Sequence, residues 1–334
     1  MQRPGEGGPG VKLAIRRTYL GDRLCFPDVV EGRLVDVQAA YARMLETRGS
    51  HRDDAIPRSR REVAETLPAL LQTDPELCLV RAVHEWAQSA AGLGDLTEDC
   101  IWSAERATFG PPIGRPHTLW GMTANYPRDR QAPRTPRGLQ GFLKAPSALA
   151  GPYDELRYPA ISQRVDPELE LAVVIGRRSR GLDRGSAMAA VAGYVAFVDT
   201  GARDVSELDN NRMDRGKGCD TFAIVGPWFV TADEIPDPQA LAIRFWVNGE
   251  LRQDGSTAEM FHDIPEQLSW LTEALTLAPG DIVSTGTPPG VRSVVPTDRL
   301  RGEIEGLGLI ETLVVAEPSA PITPIAAVAM GASR

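Results

Sequence analysis

Two glutamates stand two residues apart in Asp166-Pro167-Glu168-Leu169-Glu170, directly before the apolar run Leu171-Ala172-Val173-Val174-Ile175. That run reads as a β-strand, in which residues i and i+2 share a face. Glu168 and Glu170 would then project side by side where the chain heads for the core. Two carboxylates so close repel each other and resist burial, and a cation between them removes both costs. Oxygen ligands select a hard ion such as Mg2+, Mn2+ or Ca2+ over zinc. Taken alone, the segment reads more simply as an exposed strand end with two solvated acids.

Further segments change that balance. A second apolar strand, Tyr194-Val195-Ala196-Phe197-Val198, ends in Asp199 and runs on through Thr200-Gly201-Ala202-Arg203-Asp204. Gly216-Lys217-Gly218-Cys219-Asp220-Thr221-Phe222 follows, and later Thr285-Gly286-Thr287-Pro288-Pro289-Gly290. In this order and spacing the segments resemble the fumarylacetoacetate hydrolase superfamily, over roughly residues 113–317. The resemblance implies an α+β fold, a mixed β-sheet roll with a smaller N-terminal α/β region, and a homodimer. It also implies one divalent ion, Mg2+ or Mn2+ with Ca2+ as a further option, held by Glu168, Glu170 and Asp199. A 2-oxo acid can chelate such an ion, which then stabilises the charge that develops on the enolate oxygen.

Three carboxylates and one divalent ion leave a negative site, so an anionic substrate needs added positive charge. Arg203 and Lys217 occupy the family's positions for it. Arg203 suits a carboxylate clamp and Lys217 a point charge on an oxyanion. Asp204 and Asp220 read as structural. Gln253, Thr287 and Tyr126 match positions that meet substrate in relatives. Many relatives carry N-Y-x-x-H-x-x-E on a lid, whose His–Glu pair activates water. Here Asn125-Tyr126 places Asp129 and Ala132 at those positions, and alignment on Gly121-Met122 places Pro127 and Arg130 there. Neither restores the pair. Instead, residues 128–137 carry four arginines and two prolines, which suits a mobile basic loop. His262, beside Asp263, is the candidate replacement base, although it also reads as an ordinary helix-start residue.

Positioning these groups takes most of a 334-residue chain with 42% hydrophobic residues, enough for a core of one large or two modest domains. Net charge −9 argues against a nucleic-acid surface. Four cysteines without C-x-x-C spacing indicate neither zinc nor a disulfide framework. No apolar run approaches membrane-spanning length and no signal-peptide pattern opens the chain, so a cytoplasmic protein is expected. The expected organisation is a disordered 1–10, an accessory region 11–112, a catalytic domain 113–317 and a flexible tail 318–334. The accessory region should hold short strands over 11–36 and helices over Val37–Arg48, Arg61–Leu71 and Leu77–Leu93. The catalytic part should be strand-rich, with helices at Ser186–Ala192 and Ile264–Leu277, the latter opened by Asp263 and Pro265.

Three functions fit these residues. One is a metal enzyme on a 2-oxo or β-diketo acid, cleaving a C–C bond by hydrolysis or decarboxylation. Another is an isomerase, cyclase or dehydratase of the same fold acting on a larger intermediate, which the altered lid favours. The last is a non-catalytic ligand-binding member, which the intact carboxylate triad opposes.

Overall fold

The computed structural model describes residues 10–19, 21–129 and 136–317. The expectations for residues 1–9, for the tail 318–334 and for 130–135 of the basic loop lie outside the described residues. Among the described residues no helix is long and apolar enough to cross a membrane.

Strands Lys12–Arg17, Arg23–Phe26 and Arg33–Asp36 form an antiparallel meander. Asp36 then caps helix Val37–Thr47, accepting from Ala39 N at 2.8 Å, which satisfies one donor of the open first turn. The next expected helix, Arg61–Leu71, is instead two. Arg52–Glu62 ends at Val63, and Leu67–Thr73 starts afresh with Pro68 in its first turn. Proline has no N–H to give a helix interior but fits a first turn. Arg52–Glu62 escaped the periodicity because it buries only Ala55 and Ser59. The expected helix Leu77–Leu93 also divides. Cys78–Gln88 stops at Ser89, whose hydroxyl caps Ala90–Asp95 through Gly92 N at 3.0 Å.

The largest sheet of the described residues runs from the accessory meander through Lys12–Arg17 to Ala223–Thr231, Val191–Asp199, Leu169–Ile175, Ile282–Ser284, Leu119–Thr123 and Gln140–Leu143. Most pairs are antiparallel, but Ile282–Ser284 runs parallel to Leu119–Thr123. Lys12 faces Val230 and Leu13 faces Phe229, so the hydrogen-bonded ladder continues across the expected boundary near residue 112. A five-stranded sheet, in the order Glu250–Ser256, Ala242–Val247, Arg299–Ile304, Gly308–Ala316 and Leu156–Tyr158, packs against it. The approach is close at Gly302, where a Cβ would lie 2.9 Å from Leu169 Cδ1. This mixed arrangement is the expected α+β roll.

Two catalytic-region helices need correction. Ser186–Ala192 is only a 3-10 turn over Ala187–Ala190, and Val191 already starts the strand facing Ile175. The late helix spans Ile264–Ala274, with Asp263 accepting from Glu266 N at 2.9 Å as its cap.

Candidate active site

Every residue of Leu169–Ile175 is buried, which removes the solvated-strand-end reading of the glutamate pair. Leu169 faces Val198 and Glu170 faces Phe197, while Asp199 N donates to Glu168 O at 2.8 Å. Glu168 and Asp199 therefore sit across from each other, with Glu170 one pleat further along the same face. One carboxylate oxygen from each lies within 4.8 Å of the others. All three are buried, with exposures of 9%, 1% and 1% for Glu168, Glu170 and Asp199.

Cations surround this triad. Lys217 Nζ donates to Glu168 Oε2 at 2.6 Å and to Asp199 Oδ2 at 2.7 Å. Its stem passes Gly201, where a Cβ would lie 2.9 Å from Lys217 Cε. Arg203 holds Glu168 through Nη2 and Asp166 Oδ2 through Nε at 3.2 Å, and Asp166 is fixed in turn by Ser293 Oγ at 2.6 Å. Asp204 accepts from Ser162 Oγ and Gln163 N, both at 2.6 Å, and only braces the turn.

One further cation was not legible in the sequence. Lys144, at the end of strand Gln140–Leu143, is buried and donates to Asp199 Oδ1 at 2.5 Å and Thr200 O at 3.1 Å. Its partner is 55 residues away, so no local spacing marks it. Strand Gln140–Leu143 buries only Phe142, so a lysine at its end reads in the sequence as a solvated residue.

The electrostatics follow from this packing. Burial, then the charges of Asp199 and Glu168, push the Glu170 carboxyl well above its ordinary range. Burial also opposes ionised Asp199, but Lys144 and Lys217 overcome it and hold that carboxyl low. Lys217 is likewise penalised by burial, yet Asp199 and Glu168 raise it above an ordinary lysine. Glu170 accepts Gly286 N–H on Oε2 at 2.8 Å and has no ion pair of its own among the described residues. A buried carboxylate without a counter-charge, beside two others, is the donor set a hard divalent ion completes. The residues fit such an ion.

A cavity of about 480 Å3 opens onto the triad. Arg203, Lys217, Tyr126 and Thr287 also line it, with Arg128 and Arg137 among the other wall residues. The Tyr126 hydroxyl is buried with no hydrogen-bond partner among the described residues, and burial, then Glu170, keeps its phenol protonated well past the usual range. Thr287 reaches the wall, but its hydroxyl donates to Leu169 O at 2.6 Å and accepts from Gln253 Nε2 at 2.8 Å.

Two expected site residues do not face this cavity. Gln253 is fully buried behind the wall. Its amide also donates to Pro288 O at 2.7 Å and accepts from Leu169 N at 3.2 Å, so it ties the Thr285–Gly290 loop to the glutamate strand instead of meeting substrate. His262 is not on the cavity wall either. Its ring nitrogens engage Glu266 Oε1 at 2.8 Å and Arg137 O at 2.6 Å. Partial burial works against its charge, and these two acceptors outweigh it and raise its pKa. A ring committed to a carboxylate and a carbonyl is a brace for the loop, not a free base.

The family model for the fumarylacetoacetate (FAA) hydrolase C-terminal region matches residues 118–315, more than half of the chain. The chain belongs to the fumarylacetoacetate hydrolase family. Among its relatives, a mitochondrial oxaloacetate tautomerase of Bos taurus is 41% identical over 219 residues, covering 62% of this chain and 69% of that protein. A 4-hydroxyphenylacetate degradation bifunctional isomerase/decarboxylase of Salmonella dublin is 37% identical over 65% of this chain, which spans 51% of that protein. Among solved structures, maleylpyruvate hydrolase from Sphingobium sp. SYK-6 superposes with a TM-score of 0.70 at 30% identity, covering 91% of this chain and 100% of that one. The same hydrolase has been solved with manganese(II) and pyruvate. Family relatives thus support a metal-dependent enzyme, and they divide among several reactions.

Proposed function

We propose that this chain is a divalent-metal-dependent enzyme acting on a small 2-oxo or β-diketo acid through its enolate, with decarboxylation or keto–enol tautomerisation as the reaction. The observation that carries this reading is the buried triad Glu168, Glu170 and Asp199 with Lys217 at its edge. The described wall around it offers no histidine and no carboxylate outside the triad. Hydrolysis of a C–C bond needs a base to activate water. Decarboxylation does not, because the departing CO2 leaves its electron pair on the enolate carbon, whereas tautomerisation needs an acceptor for the carbon-bound proton, a role that among the described wall residues falls to a triad carboxylate.

Mg2+ or Mn2+ held by the triad would supply Lewis-acid stabilisation of the charge developing on the enolate oxygen. Arg203, about one-third exposed, anchored by Asp166 and Glu168 and lining the cavity, suits the substrate carboxylate. Lys217, kept protonated by its two carboxylates, adds fixed positive charge beside the developing oxyanion. Tyr126 offers a neutral hydroxyl donor. Likeness to the oxaloacetate tautomerase and to the isomerase/decarboxylase supports this reading. C–C hydrolysis remains the second reading, favoured by the fold match to maleylpyruvate hydrolase.

Proton NMR in D2O tests it, with Mg2+, oxaloacetate and a panel of acylpyruvates, and Glu168→Ala as control. The expected result is metal-dependent pyruvate formation or accelerated keto–enol exchange, absent in the variant. Release of pyruvate plus a free acid from acylpyruvates at ordinary enzymatic rates would shift the assignment to hydrolysis. No metal-dependent change in any substrate would overturn it.

A further inference from the structure

The charges at the site form an alternating chain. Arg164 lies 3.5 Å from Asp166, Arg203 bridges Asp166 and Glu168, Lys217 bridges Glu168 and Asp199, and Lys144 closes on Asp199 at 2.5 Å. Four cations thus alternate with three acids, and Glu170 is the fourth acid. With Glu170 ionised, as it must be to ligate an ion, these eight groups sum to zero. Arg164 is half exposed and also lies 3.8 Å from Glu207, while Arg128 and Arg137 add positive charge at the cavity wall. A divalent ion entering alone would therefore bring two unbalanced positive charges into a buried place. An anionic 2-oxo acid cancels them.

The geometry points to synergistic binding, in which ion and anion each bind weakly alone and tightly together, with Lys144 as the positioning residue that sets the coupling. This inference rests on the metal-centre reading above. Among the described residues the Lys144 ammonium hydrogen-bonds only Asp199 and Thr200 and is absent from the cavity wall. Its ammonium lies next to a metal ligand without touching substrate, so it opposes the lone ion and not the ion–anion pair. Coupling of this kind is reciprocal between the two ligands.

The test uses the full chain, Mn2+ followed by electron paramagnetic resonance, and oxalate as a planar stand-in for the enolate. Wild-type protein should bind Mn2+ about tenfold or more tighter when oxalate is present. Lys144→Met and Lys144→Gln should bind Mn2+ alone more tightly than wild type and lose most of the gain from oxalate. Asp166→Asn removes a negative charge and should do the reverse, weakening Mn2+ alone and enlarging the gain. A lysine that merely props Asp199 predicts the opposite sign, weaker Mn2+ binding in both Lys144 variants, and that result would overturn the proposal. Wild-type affinity unchanged by oxalate would overturn it without any variant. Absence of Mn2+ binding at millimolar levels, with or without oxalate, would overturn the metal centre itself and this inference with it.

Discussion

The glutamate strand and the accessory helices are both buried, but they bury different chemistry. The helical layer packs Met44, Leu67, Leu71 and Val83 with almost no exposure, and its one buried histidine, His84, rests on Asp28 at 3.0 Å. The strands Leu169–Ile175 and Val191–Asp199 are apolar on both faces except at one end, where Glu170 and Asp199, with Glu168 just before the first strand, meet Lys144, Arg203 and Lys217 from other segments. Apolar burial stabilises wherever it occurs, whereas buried charge must be balanced group by group and seldom repays its desolvation. The helical layer should therefore answer to volume, and the site to charge.

The sharpest break between the two regions is expected at Glu170. Glu170→Ala should cut activity by about a thousandfold or more, the several kcal/mol that a Lewis-acid ion supplies, while the circular-dichroism spectrum stays native. An active variant would remove Glu170 from the ligand set. Phe26→Ala, on the accessory strand that packs against the helical layer, is the counterpart in the other region. Phe26 is fully buried and its ring lies 4.8 Å from that of His84. Denaturant unfolding should show a loss of about 3 kcal/mol, with kcat/KM unchanged below the transition. A fall in kcat/KM in the still-folded variant would mean the helical layer feeds the site.

Smaller effects refine the contrast. Arg203→Lys keeps the charge but not the fork that spans Asp166 and Glu168, so KM should rise about tenfold with a smaller change in kcat. The ion pair of Arg17 and Asp154 joins the accessory meander to the catalytic region. Burial of Asp154 acts against ionisation, but Arg17 and Gly151 N–H prevail and hold its carboxyl below the usual value. A depressed carboxylate contributes stability above its unfolded pKa, about 4, and loses it as pH falls through the folded value. Both partners are partly exposed, so Asp154→Asn should cost less than about 1 kcal/mol at pH 7 and flatten acid unfolding below about pH 5. Identical acid titrations of variant and wild type would show the pair to be idle.

What could be read from residue order follows the range of the interaction. Glu168 and Glu170 were legible because a period of two puts them on one face, and Asp199 joined them only through the resemblance to the family, the strand pairing that places it opposite Glu168 being a finding of the structure. Helix ends were misplaced where a capping side chain decided them, at Ser89, or where proline restarted the helix, at Pro68. Lys144 was invisible because its strand is not paired with the one that carries Asp199, so no register links the two. Gln253 and His262 sit in segments that do border the site, and only three-dimensional packing turns their side chains to Pro288 and Glu266 instead of the cavity.

The pairing of Lys12–Arg17 with Ala223–Thr231 has a practical consequence. A fragment cut to residues 118–315 would retain the whole family match and every triad ligand, yet Phe229 and Val230 would lose the neighbour that covers their backbone groups. Such a fragment carries an open, apolar strand edge, the template on which chains pair and precipitate. Work on the isolated catalytic segment would therefore be a study of aggregation before it was one of catalysis.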